Sequence, residues 1–458
     1  MTQHTDRHDS AHAAVPVGPD ARLAEHGLRL QVIEPIARPE SGGDPDWRDH
    51  PALSHHVRAA EKGFYEKVPT GAVLDQVLGC HADDGRRSLG VYEDGDNPAD
   101  TEPVGTFVDF SSTMTASPGR QVPVWQVTNV TVSPGHRRRG VLRAMMTRSL
   151  ADAAASGHPV AALTATEATI YGRFGFGVAA RRSWIRVDTR GRVDLAGPAP
   201  SGRVRRQDPR ELGETYRELQ ESVRRQTPGS TYRTAECLVR WQDRERSENE
   251  GKGTGLLAAV HRDERGQVRG AALYRFEGWQ TEPTTITVEG LVAQTSDAWR
   301  GLVEYLMNLD LIERVQHQRH PDDGLLAATL ADPRRVQTVQ HRDDLYVRVL
   351  DVAAAFEGRD YAPRVNDALV LHVRDGLGHA AGTWRLSVDG GRGRVDRLDA
   401  AQADVSLDVR ELGALWLGGT SARTLARAGL LDDASEQTTD RLDAMLAPAR
   451  PVHLLTGF

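Results

Sequence analysis

The stretch Val130-Thr-Val-Ser-Pro-Gly-His-Arg-Arg-Arg-Gly-Val-Leu-Arg143 is the most informative part of this sequence. It begins as a β-rich run, breaks at a Pro-Gly pair, and continues past three arginines and a glycine into a segment with helical spacing of its apolar residues. The pattern predicts a strand, a tight turn and a helix. The first N–H groups of a helix have no partner inside it, and the helix dipole adds partial positive charge there. The stretch therefore predicts a site for a phosphate or pyrophosphate group at the end of a strand.

The Arg-Arg-Arg run has other interpretations, because basic runs are often solvated patches, nucleic-acid contacts or localisation signals. Here the run lies between a predicted strand and a predicted helix, in a chain whose formal net charge is −7. General nucleic-acid binding needs a basic surface, so we expect no nucleic-acid partner. The turn contains no Gly-Lys-Ser/Thr and no Gly-x-Gly-x-x-Gly, so it matches neither common nucleotide-binding loop.

Composition narrows the class of protein. The chain has 458 residues, 39% hydrophobic and 26% charged, which is typical of a globular protein of two to four domains. Two cysteines, Cys80 and Cys237, cannot form a disulfide framework or a zinc site of several thiolates, and the 17 histidines lack metal-ligand spacing, so we expect no metal. No run approaches 18 apolar residues and the start lacks a signal-peptide core, which predicts a cytoplasmic protein outside the membrane.

The pattern of predicted elements divides the chain into four parts. Residues 1–26 are polar and aperiodic, and we expect a disordered tail. Residues 27–195 alternate strands and helices around the arginine-rich turn. Residues 196–345 repeat this alternation without the turn, as a degenerate second copy would, and residues 346–458 form a small α+β module. The predicted fold class is α/β (α+β).

Two motifs resemble those of one enzyme family. Arg137-Arg-Arg-Gly140-Val-Leu resembles the acyl-coenzyme A turn of the GNAT N-acetyltransferases, Arg/Gln-x-x-Gly-x-Gly/Ala, but ends in Leu142. That departure, the flanking Val130-Thr-Val132 and the motif Tyr171-Gly-Arg-Phe-Gly-Phe-Gly177 are similar to the Eis (enhanced intracellular survival) acetyltransferases of actinobacteria. The resemblance covers most of the chain. It implies two tandem GNAT-like domains, the second degenerate, and a C-terminal domain like the sterol carrier protein.

The resemblance also implies acetyl-coenzyme A as co-substrate and assigns its contacts. An added-strand pairing with the pantetheine arm would use the main chain of Val130, Thr131 and Val132. The pyrophosphate cradle would be formed by Arg138, Arg139, Gly140, Val141, Leu142 and Arg143. Near the acetyl end, the cofactor would lie along Thr166 and Glu167.

Acid and base can be assigned in the same way. Tyr171 matches the family's general acid; the reference pKa of tyrosine, about 10, exceeds the roughly 8.5 of a thiol, so its hydroxyl stays protonated at neutral pH. The alternative is a core tyrosine with a satisfied hydroxyl. The chain ends in Pro451-Val-His-Leu-Leu-Thr-Gly-Phe458, and an apolar end predicts docking. The resemblance assigns the general base to the terminal carboxylate of Phe458. Gly457 stands where some family members have an acidic residue, which predicts less negative charge there.

The acceptor side is the least defined by sequence. The family lines its amine pocket with aromatics and acids, which points to Phe64 and Glu66; the alternative there is a solvated helix end with one buried aromatic. The resemblance implies direct acetyl transfer to primary amines of polycationic compounds such as aminoglycosides, by a homohexamer. Two alternatives remain: a protein-lysine or polyamine acetyltransferase, and a non-catalytic acyl-CoA or lipid-binding protein.

Overall fold

The computed structural model of the protein describes residues 19–245, 255–399 and 401–458. Within these ranges the chain forms thirteen α-helices: α1 (Pro19–Ala24), α2 (Pro51–Gly63), α3 (Gly71–Asp84), α4 (Val141–Ala155), α5 (Ala168–Tyr171), α6 (Pro209–Arg224), α7 (Ala235–Trp241), α8 (Ser296–Met307), α9 (Leu325–Thr329), α10 (Val352–Glu357), α11 (Val409–Leu415), α12 (Ala422–Arg427) and α13 (Glu436–Leu446). The same ranges contain seventeen β-strands: β1 (Leu28–Ile33), β2 (Arg87–Glu93), β3 (Gly105–Ser117), β4 (Arg120–Val132), β5 (Val160–Leu163), β6 (Gly177–Asp188), β7 (Arg203–Gln207), β8 (Leu256–Arg262), β9 (Val268–Phe276), β10 (Thr285–Ala293), β11 (Arg314–His320), β12 (Val336–Val349), β13 (Asp367–Arg374), β14 (Gly382–Asp389), β15 (Arg392–Leu398), β16 (Val405–Asp408) and β17 (Leu431–Asp432).

One continuous sheet runs through both α/β units. In the described part of the chain it has twelve strands in the order β1-β2-β3-β4-β5-β12-β6-β11-β10-β9-β8-β7. Each unit has an antiparallel meander followed by one parallel pair, which is β4 with β5 in the first unit and β10 with β11 in the second. The boundary predicted after residue 345 falls inside β12. This strand pairs with both β5 and β6 of the first unit, so it joins the two units into one sheet.

Helix α1 lies in the segment predicted to be a disordered tail. Its Leu23 is buried, and it packs in the same apolar cluster as Leu28 and residues of α4. Burying a leucine side chain is worth about 1.5–3 kcal/mol, which helps to order a short helix that sequence patterning alone does not predict. The prediction of disorder is therefore wrong for residues 19–24, and residues 1–18 lie outside the described residues.

The C-terminal module packs directly against the large sheet. Its own described strands form a five-stranded sheet in the order β15-β14-β13-β16-β17. Helix α11 lies on β6 and β12, and glycines allow the close approach: a Cβ at Gly413 would overlap the carbonyl oxygen of Val347, and a Cβ at Gly177 would overlap that of Arg410. One apolar cluster contains residues of both the large sheet and this module. The packing therefore fixes the position of the module, and the final residues of the chain extend from it.

We expect Gly413→Ala to lower the free energy of unfolding, although alanine has the higher helix propensity. The overlap with Val347 should cost about 1–3 kcal/mol or more and outweigh a propensity gain of about 1 kcal/mol. Chemical denaturation measures the change. Gly376→Ala is the control, because a Cβ there meets no atom within 4 Å. A Gly413→Ala protein as stable as the control would contradict the close packing of α11.

Candidate active site

The site begins where β4 and β5 separate. Val124–Val127 of β4 pair in parallel with Val160–Leu163, after which β5 ends and β4 continues to Val132. The register between β3 and β4 shifts at the same level, and Asn129 adopts a φ of +51°, so β4 carries a bulge there. In the described part of the chain no strand pairs with this side of residues 128–132. Their main-chain groups therefore form a free edge for an extended ligand.

The three residues predicted to bind pantetheine lie together along this edge. Val130, Thr131 and Val132 are all half-buried, and the two valines pack against the core of the first unit. The Thr131 hydroxyl is 2.6 Å from that of Thr106 on β3. Gly63, the last residue of α2, packs so closely on Thr131 that an added Cβ would lie 2.6 Å from the Thr131 Cβ. The edge is thus bordered by the C-terminal end of α2.

The arginine-rich turn leads from this edge into α4. Gly140 caps the helix with a φ of +86°, and Arg138 has a φ of +65°. No side chain caps α4, and within the described residues the arginines of residues 137–143 form no ion pair. Val141 is buried and fixes the first turn in the core, while the side chain of Arg22 in α1 lies against Gly140. The start of α4 thus combines uncapped helix N–H groups with guanidinium groups that form no ion pair with any described residue, and this combination suits phosphate binding.

The second unit has the same strand arrangement without the anion site. There β10 pairs with β11, carries a bulge between Val288 and Gly290, and leads into α8. However, the Thr295 hydroxyl accepts a hydrogen bond from the N–H of Ala298 (3.1 Å), and Asp297 adds a negative charge in the first turn. Since the chain satisfies and neutralises its own helix terminus, this unit is a poor phosphate site.

Tyr171 lies at the end of α5, shortly after β5. It is 8% exposed and packs edge-on against Phe176, with ring centroids 6.3 Å apart. Burial, with a smaller contribution from the charge of Glu167, raises the pKa of Tyr171 to about 12. No described residue hydrogen-bonds the hydroxyl, which differs from a core tyrosine with a satisfied hydroxyl. Thr166 and Glu167 are exposed and lie beyond Leu163, in the loop before α5 and not on the strand itself.

Phe458, the last residue of the chain, lies beside the end of β5. Thr164, the first residue after β5, donates a hydrogen bond through its hydroxyl to a carboxylate oxygen of Phe458 (3.4 Å). Leu454 is fully buried and Phe458 packs against the same apolar cluster. The apolar last residues are therefore docked, and the main-chain oxygen of Phe458 lies beside Thr164, which precedes Tyr171 by seven residues in the first unit.

A pocket of about 280 Å³ opens beside Phe458. Its walls come mainly from the second unit and the final residues; its polar and charged side chains are Thr234, Glu236, Cys237, Arg240, Glu289, Arg319 and Thr456. Glu236 forms an ion pair with Arg86 (2.9 Å). Burial alone would raise the pKa of Glu236, but the charge and hydrogen bond of Arg86, together with the charge of Arg240, outweigh burial and hold the pKa below the ordinary value. Glu236 therefore stays ionised at neutral pH.

Negative charge continues from this pocket to the end of α2. Burial raises the pKa of Glu61, and the neighbouring charges of Glu236 and Glu66 raise it further. Glu66 thus belongs to one acidic cluster with Glu236, while Phe64 is 38% exposed and is not the buried aromatic of the alternative interpretation. Glu236 and Glu289 were missed by sequence analysis, because isolated acids in a degenerate unit carry no motif.

Other predicted features can be located in the structure. Burial raises the pKa of both thiols, that of Cys80 to about 12, so neither is an activated nucleophile. Across the described ranges, no three His, Cys, Asp or Glu side chains are grouped to hold a metal ion. None of the helices in those ranges is long and apolar enough to cross a membrane.

Comparison with known proteins identifies the family. Residues 76–179 and residues 229–349 each match an Acetyltransferase (GNAT) domain family, and residues 352–454 match the Sterol carrier protein domain family. The N-acetyltransferase Eis of Mycobacterium tuberculosis is 37% identical over 376 residues, which cover 80% of this chain and 89% of that protein. The chain belongs to the Eis family of GNAT N-acetyltransferases.

Further similarities agree with this assignment. An uncharacterized N-acetyltransferase of Streptomyces avermitilis is 37% identical over 431 residues, covering 90% of this chain and 95% of that protein. The crystal structure of Eis1 from Mycobacterium abscessus superposes with a TM-score of 0.74 at 29% identity, covering 91% of this chain and 99% of that one. The predicted fold of two GNAT domains and a sterol-carrier-like domain is confirmed. The Eis-family protein is an acyltransferase, so the non-catalytic binding protein is not supported.

We expect Gly140→Ala to weaken coenzyme A binding. A side chain strains the backbone at a φ of +86°, and the new Cβ would lie 3.1 Å from the Arg22 side chain, which would have to give by a few tenths of an ångström. Gly119→Ala is the matched control, since it places the same strain (φ +81°) in the β3–β4 turn, where a Cβ meets open space. Calorimetric titration with coenzyme A should show about a tenfold weaker affinity for Gly140→Ala alone. Equal affinities of the two variants would contradict the assigned cradle.

Proposed function

We propose that this Eis-family acetyltransferase transfers the acetyl group of acetyl-coenzyme A to primary amines of polycationic small molecules such as aminoglycosides. The main support for the proposal is the contact at the end of β5 between the last residue of the chain and the unit that would bind the cofactor. The free edge of β4 begins where its pairing with β5 ends, and Tyr171 follows β5 along the chain. Phe458, which borders the pocket, accepts a hydrogen bond from Thr164 at the end of β5.

The cofactor fits the features of the first unit. The free edge of β4 at residues 130–132 would hold the pantetheine arm by main-chain hydrogen bonds. The uncapped start of α4 and the arginines of residues 138–143 would hold the pyrophosphate. Thr166 and Glu167 would line the cofactor beyond β5. The second unit would not compete for the same ligand, because Thr295 already caps its corresponding helix.

The proposed chemistry is direct transfer without a covalent enzyme intermediate. As the amine nitrogen bonds to the acetyl carbon and the carbon–sulfur bond breaks, the amine proton passes to the Phe458 carboxylate, directly or through water, and the sulfur receives the Tyr171 proton. An ordinary α-carboxyl has a pKa of about 3.5, so its function as a base depends on its location beside the amine. Main-chain N–H groups along the free edge of β4 would stabilise the developing oxyanion.

The acidic cluster supports a polycationic acceptor. Glu236 and Glu289 line the pocket together with Arg240 and Arg319, and Glu66 acts on the same neighbour, Glu61, as Glu236 does. Ammonium groups of the acceptor would pair with these carboxylates in competition with Arg86 and Arg275, which contact Glu236 and Glu289. A homohexamer is proposed from family membership alone, and light scattering would distinguish it from the 50.2 kDa monomer.

A thiol-release assay with acetyl-coenzyme A tests the acceptor class. We expect turnover with tobramycin-like aminoglycosides. The rate should fall as salt rises, because screening weakens the attraction between the ammonium groups of the acceptor and the carboxylates of the pocket. Spermidine and a lysine peptide are assayed in parallel, because they are the acceptors expected of a polyamine or protein-lysine acetyltransferase. Turnover of the lysine peptide or spermidine with no turnover of any aminoglycoside would contradict the proposal and favour the protein-lysine or polyamine enzyme.

Tyr171→Phe tests the general acid. We expect kcat to fall by about 10²–10⁴-fold with little change in the KM for acetyl-coenzyme A, because only a proton donor is removed. Because the pKa of Tyr171 is raised to about 12, the wild-type rate should not fall through Tyr171 ionisation below about pH 10. Tyr305→Phe, which removes a hydroxyl that bonds Tyr274 in the second unit, is the control. A Tyr171→Phe enzyme with the kcat of this control would refute the assignment.

A further inference from the structure

The last seven residues cross all three domains before they reach the proposed active site. They leave the C-terminal module after α13, pass the loop at residues 225–234 of the second unit, and end beside Thr164 of the first. The final contacts are weak: Thr164 bonds the Phe458 carboxylate at 3.4 Å, and the Cys237 thiol donates to the Gly457 carbonyl at 3.7 Å. The Phe458 ring also packs against the apolar cluster, but the stronger polar contacts of this segment lie further upstream.

Ser230 is the side chain that fastens this segment. It is fully buried, and its hydroxyl donates to the carbonyl of His453 (2.6 Å) while it accepts from the N–H of Leu455 (3.1 Å). Both hydrogen-bonding functions of one hydroxyl are thus used on main-chain groups two residues apart. The N–H of His453 adds a bond to the carbonyl of Pro228 (2.8 Å). This holds the chain three to five residues before its end.

The loop that carries Ser230 is itself fixed to the sheet of the first unit. The main chain of Gly229 and Ser230 exchanges hydrogen bonds with Thr115 of β3, at 2.8 and 3.0 Å, and Tyr232 donates to Thr113 (2.8 Å). Since β3 pairs with β4 along its length, Ser230 is linked through two strands to the edge that would hold the cofactor. The position of the last residues is therefore fixed relative to the first unit as well as to the C-terminal module.

We propose that Ser230 is a positioning residue, which sets the location of the Phe458 carboxylate against the acceptor amine. The inference rests on the proposed function, because it assumes that this carboxylate is the base. The proposal also gives the second unit a role, although its own helix terminus is capped. Through Ser230, the second unit would hold the base, which comes from the third domain, in position against the first unit.

The test uses the full-length protein with Ser230→Ala and the milder Ser230→Cys. The rate at which carboxypeptidase releases Phe458, followed by mass spectrometry, measures how firmly the last residues are held. Steady-state kinetics measures whether the Phe458 carboxylate is positioned for catalysis. We expect Ser230→Ala to release Phe458 at least about tenfold faster, because both buried hydrogen bonds of the hydroxyl are lost. Its kcat should fall by about 10²-fold, as for a shift of roughly 1 Å, with an unchanged KM for acetyl-coenzyme A. Ser230→Cys should lie between, and it decides the test if the alanine variant does not fold.

Ser117→Ala is the matched control. Ser117 is also a buried serine at a domain junction, and its hydroxyl accepts from the N–H of Asp360 (2.9 Å) at the third domain, away from the tail. We expect wild-type release of Phe458 and wild-type kcat for this variant. Ser230 variants that match Ser117→Ala in either measurement would overturn the proposal, because the tail would then be held, or aligned, by other groups.

A variant with two residues appended after Phe458 separates this proposal from the proposed function. If the extension keeps wild-type kcat, the terminal carboxylate is not the base and the proposed mechanism fails, together with the inference built on it. If the extension lowers kcat while Ser230→Ala does not, the mechanism stands and the role of Ser230 alone is refuted. A fall in kcat for both supports the two proposals together.

Discussion

The separation of β4 from β5 is the constraint on which the site depends. Two parallel strands that stayed paired would satisfy each other's main-chain groups and leave no edge for a ligand. The bulge at Asn129 turns β4 away, and β5 stops at Leu163, so one strand keeps a free edge and the other leaves space at its end. The arginine-rich turn follows the free edge directly, while Thr164 and Tyr171 follow the shorter strand. The free edge, the arginine-rich turn, Thr164 and Tyr171 therefore all follow, along the chain, the point at which the two strands separate.

The two GNAT units show how the same arrangement can serve different purposes. Both have a parallel pair and a bulge, but only α4 begins with an uncapped, arginine-flanked turn, whereas α8 is capped by Thr295 and carries Asp297. A few local substitutions thus decide whether a helix terminus attracts a phosphate. The second unit contributes walls instead, since Glu236 and Glu289 border the pocket beside Phe458 and Ser230 holds the tail. Its strand arrangement is thus compatible with a capped helix terminus that is a poor site for a phosphate.

Local features were predictable from the sequence and long-range ones were not. The turn at Gly140, the helix after it and the motif around Tyr171 are each defined within about ten residues, so periodicity and turn chemistry locate them. Leu23 orders α1 only because α4 is already packed below it, and β12 pairs on both sides only because β5 and β6 are adjacent in space. For the same reason Glu236 and Ser230 gave no signal: their significance comes from residues 150 or more positions away, Arg86 for the first and the chain terminus for the second.

The central claim, that the free edge of β4 and the start of α4 form the cofactor groove, is tested most directly by a crystal structure of the protein with coenzyme A. The account predicts the pantetheine amides hydrogen-bonded to the main chain of residues 130–132 and the diphosphate on the N–H groups of residues 138–143. Coenzyme A bound at the capped end of α8, or elsewhere with the β4 edge empty, would contradict it.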